Sequence, residues 1–268
     1  MERKTNVNAH TIVATKLGGG QVSHVRTPQR SRRRRRGADP ISVIGELLIT
    51  VGVIIGLFAF WQVYVTDWQV SAAENAALSD FDKQLNDGPK KISSDLRYDA
   101  PPATDPPGWD TTFASLHVPA WEKMVVPVVE GSAQYILDRG VAGHYERTAL
   151  PGAVGNFSVA AHRRSYGSNF RYIDRLEAGN NIIVRTKKAW LVYKVTEKKL
   201  TTPDDGGVIA PVPSKPGAEP TERLMTLTTC ATASGGQFGN THRYIVHAKL
   251  DHWVPPETGI PAELEGAN

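Results

Sequence analysis

A run of nineteen residues, Leu47 to Val65, is almost wholly apolar and constrains this chain more than any other stretch. It reads Leu-Leu-Ile-Thr-Val-Gly-Val-Ile-Ile-Gly-Leu-Phe-Ala-Phe-Trp-Gln-Val-Tyr-Val, apolar on every side of a helix, whereas a helix docked on a soluble core needs only one such face. About 20 residues of this kind span the hydrocarbon of a bilayer. Trp61, Tyr64 and Trp68 fall at its far end, where amphipathic rings favour the membrane–water interface. Ahead of it, residues 1–40 hold ten Lys/Arg against two Asp/Glu, including the run Arg32 to Arg36, and offer nothing from which to build a core. Positive charge before a first span keeps that side cytoplasmic and places the rest of the chain outside. No small-residue cleavage site comes after the run, so residues 41–66 read as an uncleaved, single-pass signal anchor behind a disordered cytoplasmic tail.

The charge balance needs the same division. The net charge is +4, and the first 40 residues alone carry +8, which leaves −4 on the remainder. A basic tail on a mildly acidic body argues against nucleic acid as the partner of the folded domain and fits a membrane surface instead.

Beyond the anchor, Asp67 to Leu85 is Ala-rich and helical in composition, and Asn86-Asp87-Gly88-Pro89 stops it. Pro89, Pro101, Pro102, Pro106 and Pro107 make the next stretch an extended, semi-stiff spacer, so residues 67–110 read as a stalk. The folded domain is expected over 111–256. Phe113–Pro119, Lys123–Glu130, Asn156–Arg163, Asn181–Thr186, Trp190–Glu197, Glu222–Cys230 and Arg243–Asp251 carry strand patterns, and Ser132 to Arg139 reads as a short helix closed by Gly140. Thr201 to Pro220 holds five prolines and reads as a long surface loop. Many short strands with scattered helical turns predict a closed, mainly β barrel. Residues 257–268 form a polar C-terminal tail.

Three chemistry-bearing residues lie at strand ends: His162, Cys230 (the single cysteine) and Arg243. A thiol attacks a carbonyl well as thiolate, and a neighbouring imidazolium or guanidinium raises that fraction. An imidazole can protonate a leaving amine, and a guanidinium can hold a developing oxyanion. Each residue alone has a plainer reading, as an inert core thiol or a solvated strand-end charge. Metal chemistry is poorly served, because one cysteine and eight histidines show no ligand spacing. No glycine loop opening a helix is present to cradle phosphate, and no cofactor is expected.

The wording around the three residues decides between these readings. Thr226-Leu227-Thr228-Thr229-Cys230 resembles the TLxTC signature of sortases, the cysteine transpeptidases of Gram-positive cell walls. Ala161-His162-Arg163 is similar to their histidine segment, and Arg243-Tyr244-Ile245-Val246-His247-Ala248 to their arginine strand. Gly143-His144-Tyr145, Thr148 to Gly152 and Gly155-Asn156 match the approach to the histidine, and Tyr166-Gly167 is closest to class E, the actinobacterial housekeeping type. The resemblance covers roughly residues 112–256.

It implies a closed sortase-type barrel of about eight strands with short helices, preceded by one transmembrane helix. It implies Cys230 as nucleophile, His162 as acid and base in preference to its rival His144, and Arg243 as oxyanion or substrate-backbone partner. His144, Thr228 and Thr229 are expected in the substrate-binding wall. The implied reaction cuts a C-terminal sorting signal of LAxTG or LPxTG type between Thr and Gly, through a thioester on Cys230. The acyl group then passes to an amine of a cell-wall precursor of the lipid II type, so the expected partners are sorting-signal-bearing surface proteins, that precursor and the membrane. A pilin-polymerising sortase and a non-catalytic membrane-anchored scaffold are the alternatives. In pilin-class enzymes the segment before the barrel lies across the groove as a lid, but Tyr98-Asp99 and Trp109-Asp110 match the lid pattern poorly. The chain departs from class E after the nucleophile, where Ala231 to Thr241 is Gly-rich and lacks the usual proline.

Overall fold

The computed structural model describes residues 40–61, 66–85, 88–121, 124–231 and 240–265. The N-terminal tail before Pro40 and most of the Gly-rich link after Ala231 lie outside them. Helix α1, Pro40–Phe60, has 21 residues, buries none of them and is long and apolar enough to cross a membrane. The expected end of the anchor, 62–65, lies outside the described residues.

The β-branched runs form a closed barrel of eight strands. They are β1 Thr112–His117, β2 Val125–Glu130, β3 Ala142–His144, β4 Gly155–Ala160, β5 Asn181–Thr186, β6 Trp190–Thr201, β7 Arg223–Ala231 and β8 His242–Val254. Their order around the barrel is β1-β2-β3-β4-β7-β8-β6-β5, with β5 returning to β1. Pleating sends alternate residues inward. On β7, Met225 and Leu227 point into the core beside Phe157, Val159, Val184, Leu191 and Val246, all with 1% exposure or less. Closure leaves no unpaired sheet edge. Strand β3 is too short to show as a pattern in the sequence, and β6 runs four residues past the expected Glu197, to Thr201.

Helix α2, Thr66–Asp82, packs on the barrel through Phe81, which is fully buried, and Val70, at 6% exposure. Burial of Phe81 alone contributes about 2–3 kcal/mol. Val70 meets two turns that only glycine fits well. Gly140 (φ 76°) and Gly167 (φ 81°) both sit in the left-handed region, and a Cβ on Gly140 would come within 2.5 Å of the Val70 side chain. Asn169, buried, ties the joint together by donating to the Gly140 carbonyl at 2.6 Å and to Glu74 of α2 at 3.3 Å.

Burial pushes the Glu74 carboxyl up to about 7, against the lowering influence of Asn169 and Arg171. Because this value exceeds the unfolded one, Glu74 contributes stability at low pH that is lost as pH rises through about 7. Thermal melts between about pH 5 and 8 should therefore show Glu74→Gln gaining on the wild type as pH rises. Equal pH slopes for the two proteins would refute this.

The proline-rich segment does not stand free of the barrel. Its first half pairs with the C-terminal end of β8 and the chain beyond, through bridges Ile92–Ile260 and Arg97–Trp253. The Trp253 indole donates to Asp99 at 3.1 Å, and the Arg97 guanidinium lies over the Trp253 ring. Trp253 is ten residues along β8 from Arg243, about 30 Å of strand. This half of the segment is therefore a belt at the far end of β8, away from the candidate nucleophile. Its last two residues, Trp109 and Asp110, instead brace helix α3, Gln134–Leu137. Trp109 Nε1 donates to Tyr135 Oη at 2.7 Å, and Asp110 pairs with Arg139.

Candidate active site

Three neighbouring strands bring the expected residues together. In the antiparallel β7–β8 ladder Cys230 stands directly opposite Arg243. Such pairs share a face of the sheet with Cβ atoms about 5 Å apart. In the parallel β4–β7 ladder Ala160 is paired with Thr228, and the Ala161 amide still donates to the Thr228 carbonyl at 3.3 Å. Carried on for two residues along each chain, that register would bring His162 level with Cys230. The expected strand to Arg163 ends at Ala160, so His162 sits just past the ladder, its carbonyl fixed by the Phe170 amide at 3.0 Å. Cys230 is half-buried and carries a free thiol. Arg243 donates through Nη1 to the carbonyls of Asn240 (3.1 Å) and His242 (3.0 Å).

Parity along β7 sorts the threonines. Thr226, Thr228 and Cys230 face outward, whereas Thr229 lies on the core side with Met225 and Leu227. The expectation that Thr229 contacts substrate is therefore corrected, because a residue adjacent to Cys230 in a pleated strand points to the opposite face. Thr229 instead donates its hydroxyl to the Ala161 carbonyl at 2.6 Å and is 3% exposed. That bond joins the residue before the thiol to the residue before the imidazole. Thr228 is on the right face, next to Cys230. Among the described residues its hydroxyl has no hydrogen bond of ordinary geometry, and it faces the Tyr145 phenol.

His144, expected in the pocket wall, lies behind it. Its ring is 1% exposed, packs between Phe113 and Phe157, and meets Glu130 through Nδ1 at 2.7 Å and the Ala149 carbonyl through Nε2 at 3.1 Å. With both nitrogens engaged, it holds the turn after β3 rather than touching substrate. The next residue, Tyr145, faces outward because its amide pairs with the Ser158 carbonyl. Burial raises the Tyr145 phenol above its ordinary range, Arg243 and the Thr228 hydroxyl oppose the shift, and Cys230 adds to it. That places the phenol within electrostatic reach of both Cys230 and Arg243. Sequence reasoning passed over Tyr145; the signal available was its place two residues past Gly143 on the same face.

A second outward network fixes the long loop between β6 and β7. Asn156 donates to the carbonyls of Val208 (3.2 Å) and Ala210 (3.0 Å), accepts from Thr226 Oγ1 at 2.8 Å, and Thr226 meets His247 Nδ1 at 2.9 Å. Burial lowers His247 to about 4, with Lys199 adding to the effect, so this ring is neutral near pH 7. The 3-10 turn Gly206–Ile209 is thereby pinned to the sheet over Asn156 and Thr226, further back along the same face as Thr228 and Cys230. A cavity of about 620 Å³ lies elsewhere, against β1, β5 and the end of α2; none of His162, Cys230 and Arg243 lines it.

Helix α3 supplies the remaining contacts of the imidazole. Asp138 Oδ1 is 2.8 Å from His162 Nε2, and Gln134 donates its amide to the same oxygen at 2.6 Å. The Tyr166 ring lies against the His162 ring with centroids 5.2 Å apart. Among the described residues no hydrogen bond joins the His162 ring to the Cys230 thiol.

A closed eight-stranded barrel that sets cysteine and arginine opposite each other on adjacent strands, with a histidine just past the end of the next strand, is the architecture of a cysteine transpeptidase, and this chain belongs to the sortase family. Residues 116–251 match the sortase domain. Within the family its similarity runs to class E. Sortase SrtE1 of Streptomyces coelicolor is 35% identical over 252 residues, covering 91% of this chain and 67% of that protein. Sortase SrtE2 of the same organism is 34% identical over 232 residues, covering 84% and 88%. Among solved structures, the SrtA sortase from Actinomyces oris is 46% identical with a TM-score of 0.61, over 63% of this chain and 95% of its own. The crystal structure of sortase E1 from Streptomyces coelicolor with a tripeptide in the active site is 40% identical with a TM-score of 0.52, over 57% and 96%.

Proposed function

We propose that this sortase is held in the membrane by α1, with the basic tail cytoplasmic and the barrel outside, and that it works through Cys230, His162 and Arg243. The Cys230 thiolate attacks the Thr carbonyl of an LAxTG- or LPxTG-like sorting signal. The Thr–Gly bond breaks as His162 gives its proton to the glycine amine, leaving a thioester on Cys230. An amine of a peptidoglycan precursor then attacks the thioester, His162 takes up the proton, and the thiolate is released. Arg243 stabilises the oxyanion of both tetrahedral intermediates. Thr228 and Tyr145 border the peptide on the outward face, beside the pinned loop after β6.

The observation that carries this reading is that β8 sets Arg243 opposite Cys230 on β7 while β4, paired with β7 up to Ala160–Thr228, delivers His162 two residues past its end, with the Thr229–Ala161 bond tying the two segments together. The test is to incubate the full chain in detergent micelles with LAxTG and LPxTG peptides and a small amine. Cleavage at Thr–Gly with transfer to the amine is expected. Alkylation of Cys230 without any peptide turnover would instead indicate a non-catalytic scaffold.

A further inference from the structure

We infer that Asp138 is the positioning residue of the catalytic imidazole, so that the working unit is Asp138, His162, Cys230 and Arg243 rather than the last three alone. The inference rests on the function proposed above and deepens it.

A carboxylate only accepts hydrogen bonds, so a nitrogen 2.8 Å from Asp138 Oδ1 carries a hydrogen. Gln134 reaches the same oxygen at 2.6 Å and lies 3.5 Å from His162 Nε2, so it holds the carboxylate in place while the ring donates to it. Nε2–H is therefore committed to Asp138, and Nδ1 is the nitrogen that exchanges its proton with the thiol and the departing amine. Tyr166 against the ring restricts its rotation. Carboxylate and ring are both largely shielded, with side-chain exposures of 29% and 16%.

The support beneath Asp138 argues that this geometry is built in. A helix of four residues has little stability of its own, so α3 depends on tertiary contacts. Ile136 is fully buried against Val129 and Val141. Trp109 and Asp110 brace Tyr135 and Arg139, on either side of the carboxylate. Gly140, two residues past Asp138, is locked by Val70 and Asn169. A surface ion pair of no consequence would not need its acidic partner fixed on three sides.

The test compares Asp138→Asn and Asp138→Glu with the wild-type full chain in micelles. For Asp138→Asn we expect kcat to fall about 10–100-fold with KM within about two-fold, since the general acid is misplaced while the binding surface is intact. Asp138→Glu, which keeps the charge, should recover part of that loss. Melting temperatures report whether either variant has merely lost fold. Imidazole proton–nitrogen correlations should show His162 protonated at Nε2 in the wild type, with that signature lost in Asp138→Asn. Unchanged kcat together with unchanged nitrogen signals in Asp138→Asn would overturn the positioning role and leave Cys230 as nucleophile untouched. A wild type without turnover whose Nε2 signature still depends on Asp138 would overturn the transfer reaction and support the pairing.

Discussion

Replacing Cys230 by alanine is expected to abolish transfer of a sorting peptide to an amine, a loss of at least about four orders of magnitude in kcat. The size comes from the chemistry: every step after binding passes through the carbon–sulfur bond, which an alanine methyl cannot form. The rival explanation, that the substitution damages the barrel, is weak at this position. Cys230 is half-buried and faces outward, with one residue of β7 beyond it, while the interior is filled by its neighbours Leu227 and Met225. The melting temperature should stay within a few degrees of the wild type. Mass spectrometry gives the independent check, because wild type with peptide and no amine should accumulate an acyl adduct on Cys230. Peptide cleavage surviving in the alanine variant would end the proposal.

Arg243 carries the second large effect. Its guanidinium has five N–H donors, and Nη1 already serves the carbonyls of Asn240 and His242. Those bonds aim the rest of the fork along the outward face, opposite Cys230 in the ladder. Loss of one preorganised donor to a developing oxyanion costs about 10²–10³ in kcat, so Arg243→Ala should fall by that factor. Arg243→Lys should fall nearly as far, because a compact ammonium on a flexible stem cannot hold both backbone carbonyls and still reach the oxyanion. Steady-state kinetics separate the roles. A fall in kcat alone assigns Arg243 to the transition state, and a rise in KM alone would assign it to peptide binding.

Both residues were legible in the sequence because their neighbours carry fold as well as chemistry. Met225 and Leu227 turn inward between Thr226 and Thr228, and this alternation makes a strand while Thr226 to Cys230 makes a recognisable wording. The apolar run from Leu47 stood out for a simpler reason, since it has the length and composition that a bilayer-spanning helix needs. Thr229 shows the limit. Its place beside the nucleophile suggested contact with substrate, and only the pleat, which needs a register, reveals that it points inward to Ala161. Asp138 and Gln134 were invisible on other grounds. Their four-residue spacing on a helix is common, and nothing in it signals that the turn will lie over a histidine 24 residues later. The proline-rich segment misled because prolines report a stiff backbone without saying what it rests on. Strand β3 escaped because three residues cannot establish an alternation.

The way α2 grips Gly140 and Gly167 bears on how such enzymes are handled. Trimming the chain to the barrel alone would strip Val70 and Glu74 from the two turns on either side of His162, leaving Asn169 to hold Gly140 without its partner on α2. A soluble fragment cut at residue 110 would thus be a looser catalyst than the intact chain, and rates measured on it would understate what the intact chain does.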